Sequence, residues 1–148
     1  MKPIKERSKE LKKYEIEVTV EKGDDKTYTA YISGDNPLPF GLLGDGNNVQ
    51  EAIDDFKESF NQMRAFYEKS KLEFPENVEF NFKYDMASFL SYYSKILSLS
   101  GLEKLTGVNQ GQLSHYVTGR RKPSKKTVQK IEEELHNFAE EISQIEFV

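Results

Sequence analysis

Apolar and polar residues alternate one by one over residues 14–21, Tyr-Glu-Ile-Glu-Val-Thr-Val-Glu. A period of two predicts a strand with one buried face. Gly23-Asp24-Asp25 carries turn chemistry and residues 27–32 resume a β-rich run, so residues 14–32 read as a hairpin. Asp35-Asn36-Pro37 breaks the chain. Residues 38–43 then read as a short third strand, with Pro39 placing it at an edge, and residues 44–47 as another turn. Asn48 and Glu51 form a capping pair for a helix whose apolar stripe is Val49, Ile53, Phe56, Phe60, Met63 and Tyr67. Residues 78–84 alternate again as a last strand, giving the order β-β-β-α-β.

Near residue 85 the period changes from 2 to 3.6. Asp85 can cap a helix that turns Met86, Phe89, Tyr93 and Ile96 or Leu97 inward. Leu102 and Leu105 mark a short helix ending at Gly107, and Asn109 can cap the next, with Leu113, Tyr116 and Val117 inward. After Pro123-Ser124 a longer helix is expected to bury Val128, Ile131, Leu135, Phe138, Ile142 and Ile145. The pattern predicts a two-domain α+β protein, residues 1–84 and residues 85–148, without a Gly/Ser linker. Residues 1–12, charged and weakly patterned, read as a mobile arm.

The chain has 148 residues and a net charge of −4, but the charge is unevenly placed. Residues 1–84 hold 13 basic against 17 acidic side chains. Residues 95–130 hold eight basic side chains against Glu103 alone, and the last 18 residues hold six Glu and no Lys or Arg. A basic island between acidic flanks is what a localised phosphate-binding surface requires. Without Cys, and with only His115 and His136, the chain offers no disulfide framework, thiolate zinc site, Cys nucleophile or His-rich metal site. No run approaches the roughly 18 apolar residues that span a bilayer, and no signal peptide is evident. A cytoplasmic protein is expected.

The chemistry concentrates between Gly101 and Ser124, in the series Gly107-Val108-Asn109-Gln110, Leu113-Ser114 and Gly119-Arg120-Arg121-Lys122-Pro123-Ser124. Gly107 permits a tight turn between two helices, Val108 plugs it, and Asn109 starts the second helix. Leu113 and Val117 hold that helix to its domain while Gln110, Gln112 and His115 project from its first half. Gln can pair with an adenine edge in the major groove or grip a phosphate. Arg120, Arg121, Lys122, Lys125 and Lys126 follow as cations for the DNA backbone. Together Asn109, Gln110, Gln112, His115 and these five cations form the candidate DNA-binding set.

This stretch resembles the helix-turn-helix of the Xre and phage-repressor family, departing from it at Glu103, where the family usually has a small Ala. The first half, with Tyr28-Thr29-Ala30-Tyr31 and then Gly44-Asp45-Gly46-Asn47-Asn48-Val49-Gln50-Glu51-Ala52, resembles the HicB family of antitoxins. Asn48 and Val49 replace part of that family's signature. The resemblance implies a partly RNase H-like N-terminal domain that binds a small basic ribonuclease toxin of the HicA type. It also implies an oligomeric repressor, dimer or tetramer, of its own operon. The alternative is a stand-alone regulator whose first half dimerises or senses a ligand.

No enzyme activity and no cofactor are expected. Asp24, Asp25, Asp35 and Asp45 all fall in segments read as turns, whereas a two-metal nuclease needs carboxylates converging from rigid elements. His115 has no Asp or nucleophile near it in sequence. Tyr92, Tyr93 and the Phe stripe over residues 56–66 read as core, and Glu132-Glu133-Glu134 as a solvated face.

Overall fold

The computed structural model describes residues 12–148, so the arm expected at the N-terminus lies almost wholly outside the described residues. Strands β1 (Tyr14–Lys22), β2 (Tyr28–Ile32) and β3 (Leu43–Gly46) precede helix α1 (Val49–Lys69) and strand β4 (Val78–Tyr84). They form one four-stranded sheet in the order β3-β2-β1-β4. β1 pairs antiparallel with β2 and parallel with β4, and β2 pairs antiparallel with β3. Four helices follow: α2 (Met86–Tyr93), α3 (Leu99–Thr106), α4 (Gln110–Val117) and α5 (Lys125–Ser143).

The alternation in β1 does what its period predicts. Ile16, Val18 and Val20 are buried, and Glu15, Glu17 and Glu21 are exposed on the other face. The register sets those three buried residues against Phe80, Phe82 and Tyr84 of β4. Helix α1 covers this apolar face with Val49, Ala52, Ile53, Phe56 and Phe60. Phe56 is fully buried and meets Phe80 edge-on at 5.1 Å, a burial that stabilises by about 1.5–3 kcal/mol. The opposite face is polar, with Lys13 bridging Glu15 and Glu79 and Lys83 paired to Glu17 at 2.6 Å.

The third strand lies later than the sequence pattern suggests. Residues 38–42 form a loop that tucks Leu38 and Leu42 under the core, and β3 occupies the segment read as a turn. Gly44 and Gly46 serve contact here, not turning. A Cβ on Gly44 would lie 2.3 Å from the Phe56 amide nitrogen and 2.4 Å from the Ala52 carbonyl oxygen, so the bare strand lets α1 settle directly upon it. Asp45 accordingly sits in a strand and accepts a hydrogen bond from the Thr29 hydroxyl at 2.7 Å. The capping pair is present: the Asn48 side chain accepts from the Glu51 N–H at 2.9 Å, and Glu51 accepts from the Asn47 N–H at 2.7 Å.

Two further expectations are corrected. Of the apolar stripe expected on α5 (Lys125–Ser143) only Ile131 is fully buried, with Leu135 packed against the same core; Val128 is 36% exposed, Ile142 is 48% exposed near the helix end, and Ile145, 50% exposed, lies beyond that end. Leu90, absent from the expected set, is the apolar residue buried most deeply on α2; of the alternatives Ile96 and Leu97, Leu97 packs against the core, and Ile96, in the turn after α2, is exposed. Phe66 departs from the core in the same way, standing exposed beside Leu43.

Candidate nucleic-acid interface

Helices α3 and α4 are built by local rules. The Ser98 side chain caps α3 by accepting from the Gly101 N–H at 3.1 Å. Gly107 ends α3 in the left-handed region at φ 72, which a side chain resists, and its N–H returns to the Glu103 carbonyl at 2.8 Å. Thr106, buried, donates its hydroxyl to the Leu102 carbonyl at 2.6 Å and accepts from the Val108 N–H at 3.2 Å, which seats Val108 in the core as the turn's plug. Leu90, Leu102, Leu113, Tyr116 and Ile131 complete that small core.

The unusual Glu103 has a definite place. It is half-buried on α3, and its carboxylate accepts from the Gln110 N–H at the start of α4. A negative group there complements the positive end of the helix, so Glu103 ties the two helices together where a small residue would only let them touch. Asn109 takes the next amide, accepting from the Gly111 N–H at 2.7 Å. Both amides are therefore occupied by the protein.

Leu113 and Tyr116 turn α4 inward, leaving Gln110, Gly111, Gln112 and Ser114 exposed and His115 half-buried. Helical spacing sets Gly111, Ser114, His115 and Thr118 along the outermost stripe, with Gln112 on its flank. Ser114 and Gly111 thus belong to the exposed face of α4, which the Gln and His residues alone did not reveal. The three-residue step from Gly111 to Ser114, opposite Leu113, was the available signal.

The cationic turn is folded back onto α4. The Arg121 N–H donates to the His115 carbonyl at 3.3 Å and the Arg120 N–H to the Thr118 hydroxyl at 3.4 Å, around Gly119 at φ 74. Arg120, Arg121, Lys122, Lys125 and Lys126 are all exposed, and among the described residues none of them is ion-paired. Ser124 caps α5 by accepting from the Thr127 N–H at 3.2 Å. Lys125 and Lys126 then occupy the first turn of α5 with no acidic residue beside them. Cations at a helix N-terminus oppose the macrodipole by roughly 0.3–1 kcal/mol each, so these lysines do not stabilise α5 electrostatically.

The sheet contributes one residue to this region that sequence patterns gave no reason to include. Lys22, at the end of β1, extends its ammonium to the Val117 carbonyl at the C-terminus of α4. Beside it, the Asp85 carboxylate accepts from both the Lys22 N–H at 3.2 Å and the Ser88 N–H at 2.8 Å, joining β1 to the start of α2. α2 packs on β1, β4 and α1 and also on α4. Its Ser91 meets the Tyr28 hydroxyl at 3.2 Å, and its Tyr92 hydroxyl donates to Gln50 at 3.1 Å.

Among the described residues no three His, Asp or Glu side chains gather to hold a metal ion, and no helix is long and apolar enough to cross a membrane. Compared with protein-family models, residues 92–136 match the family described as Helix-turn-helix, which supports DNA binding and transcription regulation. No curated protein and no solved structure matches the chain.

Proposed function

We propose that this protein is a cytoplasmic transcription regulator that binds a specific duplex operator through α4 and the cations of residues 120–126. The observation that carries this reading is the pairing of a polar helix face, Gln112, Ser114 and His115, with an exposed cationic turn directly behind it that is not ion-paired among the described residues. The first suits base edges and the second the phosphate backbone. The test is fluorescence anisotropy of the intact chain on DNA from upstream of its own reading frame, against scrambled duplex of equal length. Tighter binding to the upstream DNA, weakening steeply with salt, is expected. Equal and salt-insensitive binding would overturn the reading.

The finer reading is an antitoxin of the HicB type, a binding protein and not an enzyme, whose first half occupies a small basic ribonuclease toxin while the second represses the operon. What supports it is the β-β-β-α-β order with β4 beside β1, and a Gly44-Asp45-Gly46 segment whose glycines hold the sheet against α1. Net acidity of residues 1–84 suits a cationic partner. The stand-alone regulator is the other reading, favoured by the single family match, which covers the second half of the chain only. Co-expression of the intact chain with the product of a small adjacent reading frame separates them. Rescue of growth and a co-purifying complex are the antitoxin result; neither appearing leaves the stand-alone regulator.

A further inference from the structure

The sheet ends in two edges of different kinds. At β3, backbone groups that point away from β2 are taken by side chains of α1. The Asp45 N–H donates to the Asp55 carboxylate at 2.9 Å, and the Leu43 carbonyl accepts from the Ser59 hydroxyl at 2.8 Å. At β4 the register assigns the outward groups. The Tyr14 N–H donates to the Asn77 carbonyl at 3.0 Å and the Asp85 N–H to the Val20 carbonyl at 3.1 Å, so the odd-numbered residues of this strand turn their backbone to β1. Val78, Phe80, Phe82 and Tyr84 therefore turn their N–H and carbonyl groups away from the sheet, and among the described residues these groups have no hydrogen-bond partner. Sheets usually blunt such an edge with Pro, a bulge or a cover, yet β4 runs seven residues in unbroken register without Pro.

The side chains agree with the backbone. Ile16, Val18 and Val20 of β1 are fully buried, whereas Phe80, Phe82 and Tyr84, beside them in register, are only half-buried. The apolar row stops one strand short of full cover. Past Phe82 and Tyr84 lies a groove of about 590 Å³ whose far wall is Val128, Ile131 and Leu135 of α5. On the opposite face of the sheet the carboxylates of Glu15, Glu17, Glu21, Asp45 and Glu79 outnumber the cations Lys13 and Lys83.

We propose that the β4 edge is a docking site for an extended segment of a protein partner, with apolar residues at alternate positions and Lys or Arg between them. An extended backbone supplies the alternating acceptors and donors that the edge lacks. Its apolar side chains cover Phe80 and Phe82 and enter the groove, while its basic side chains continue the acidic face. This rests on the partner-binding reading of residues 1–84 and names the part of the partner that meets the sheet.

The test uses the intact chain and capped peptides of about eight residues, enough to span β4, in which Val and Lys alternate. The alternating peptide is expected to bind, and to slow amide exchange at Phe80, Phe82 and Tyr84 about tenfold or more while leaving Asp45 unchanged. A block peptide of the same composition and an alternating Val-Glu peptide should each bind about tenfold or more weakly. Two further peptides carry N-methyl groups on all valines or on all lysines. One set of N–H groups faces β4 and the other faces away, so one methylated peptide should lose binding and the other keep it: the valine set loses it if the strand adds antiparallel, the lysine set if parallel. No binding at about 1 mM of the unmethylated peptide would overturn the proposal. So would equal affinity of the two methylated peptides, equal binding of the block or Val-Glu peptide, or slowed exchange elsewhere but not at these three amides. A complex with the adjacent reading frame's product that leaves these amides unprotected would overturn the edge site while the partner-binding reading stands. Protection of the edge by peptide without any such complex keeps the site and removes that partner.

Discussion

The ammonium of Lys22, the last residue of β1, donates to the carbonyl of Val117, the last residue of α4, across 3.3 Å. A cation from the sheet thus stands at the negative end of α4, where it satisfies a carbonyl that the helix itself leaves without a partner. The methylenes of Lys22 reach there past Tyr28, whose ring centre lies 5.8 Å from the ammonium. The sheet and α4 are joined through this contact and through α2, so the sheet helps to set where α4 sits.

Lys22→Met keeps the apolar stem and removes the charge. The interaction is partly solvated, and its loss is expected to destabilise the end of α4 by about 0.3–1 kcal/mol. Amide exchange at Thr118 and Gly119, whose N–H groups close the last turn, should speed up about two- to fivefold. Unchanged exchange there would show that Lys22 does not hold the helix.

Gly44→Ala should destabilise the fold by about 1–3 kcal/mol or more, because the new methyl meets the backbone of α1 and not a movable side-chain end. Gly41→Ala is the control: nothing lies within 4 Å of that position, and denaturant unfolding should be close to wild type. Equal midpoints for the two variants would contradict the close seating of β3 on α1.

Glu103→Ala leaves the Gln110 N–H without its side-chain acceptor. A loss of about 0.5–2 kcal/mol follows, seen as a lower thermal midpoint by a few degrees. Glu103→Gln keeps an acceptor and should retain most of that stability. A variant Ala at least as stable as wild type would mean that the carboxylate merely tolerates its place.

Base reading and phosphate contact separate by mutation. Gln112→Ala should weaken binding to the selected site by about 1–3 kcal/mol with little effect on random duplex. Lys125→Ala or Lys126→Ala should weaken both alike and lower the salt slope by about one. Equal loss on both duplexes for Gln112→Ala would make Gln112 a phosphate contact.

Much of this architecture was legible from periodicity, since β1, α1, β4 and the helix starts at Asn48, Asp85, Asn109 and Ser124 follow from alternation, helical spacing and cap chemistry. The misplacement of β3 has a physical origin. Gly-Asp-Gly is turn chemistry by composition, and only the approach of α1 makes bare backbone the requirement. For α5 the helical stripe was evident, but periodicity records that a face is apolar, not whether the same chain covers it. The candidate interface was readable from Gly107 to Lys126, because its turns and cations are local in sequence. Lys22 was not, because a contact between residues 95 positions apart leaves no local pattern.

Whether α4 reads a duplex in the major groove is tested by selecting bound sequences from a random duplex pool with the intact chain and again with Gln112→Ala. Wild type should enrich a motif whose preference relaxes at one or two base pairs in the variant, while overall salt dependence persists. An unenriched pool, or an identical motif from both proteins with α4 protected from neither exchange nor modification by the DNA, would contradict major-groove reading by α4.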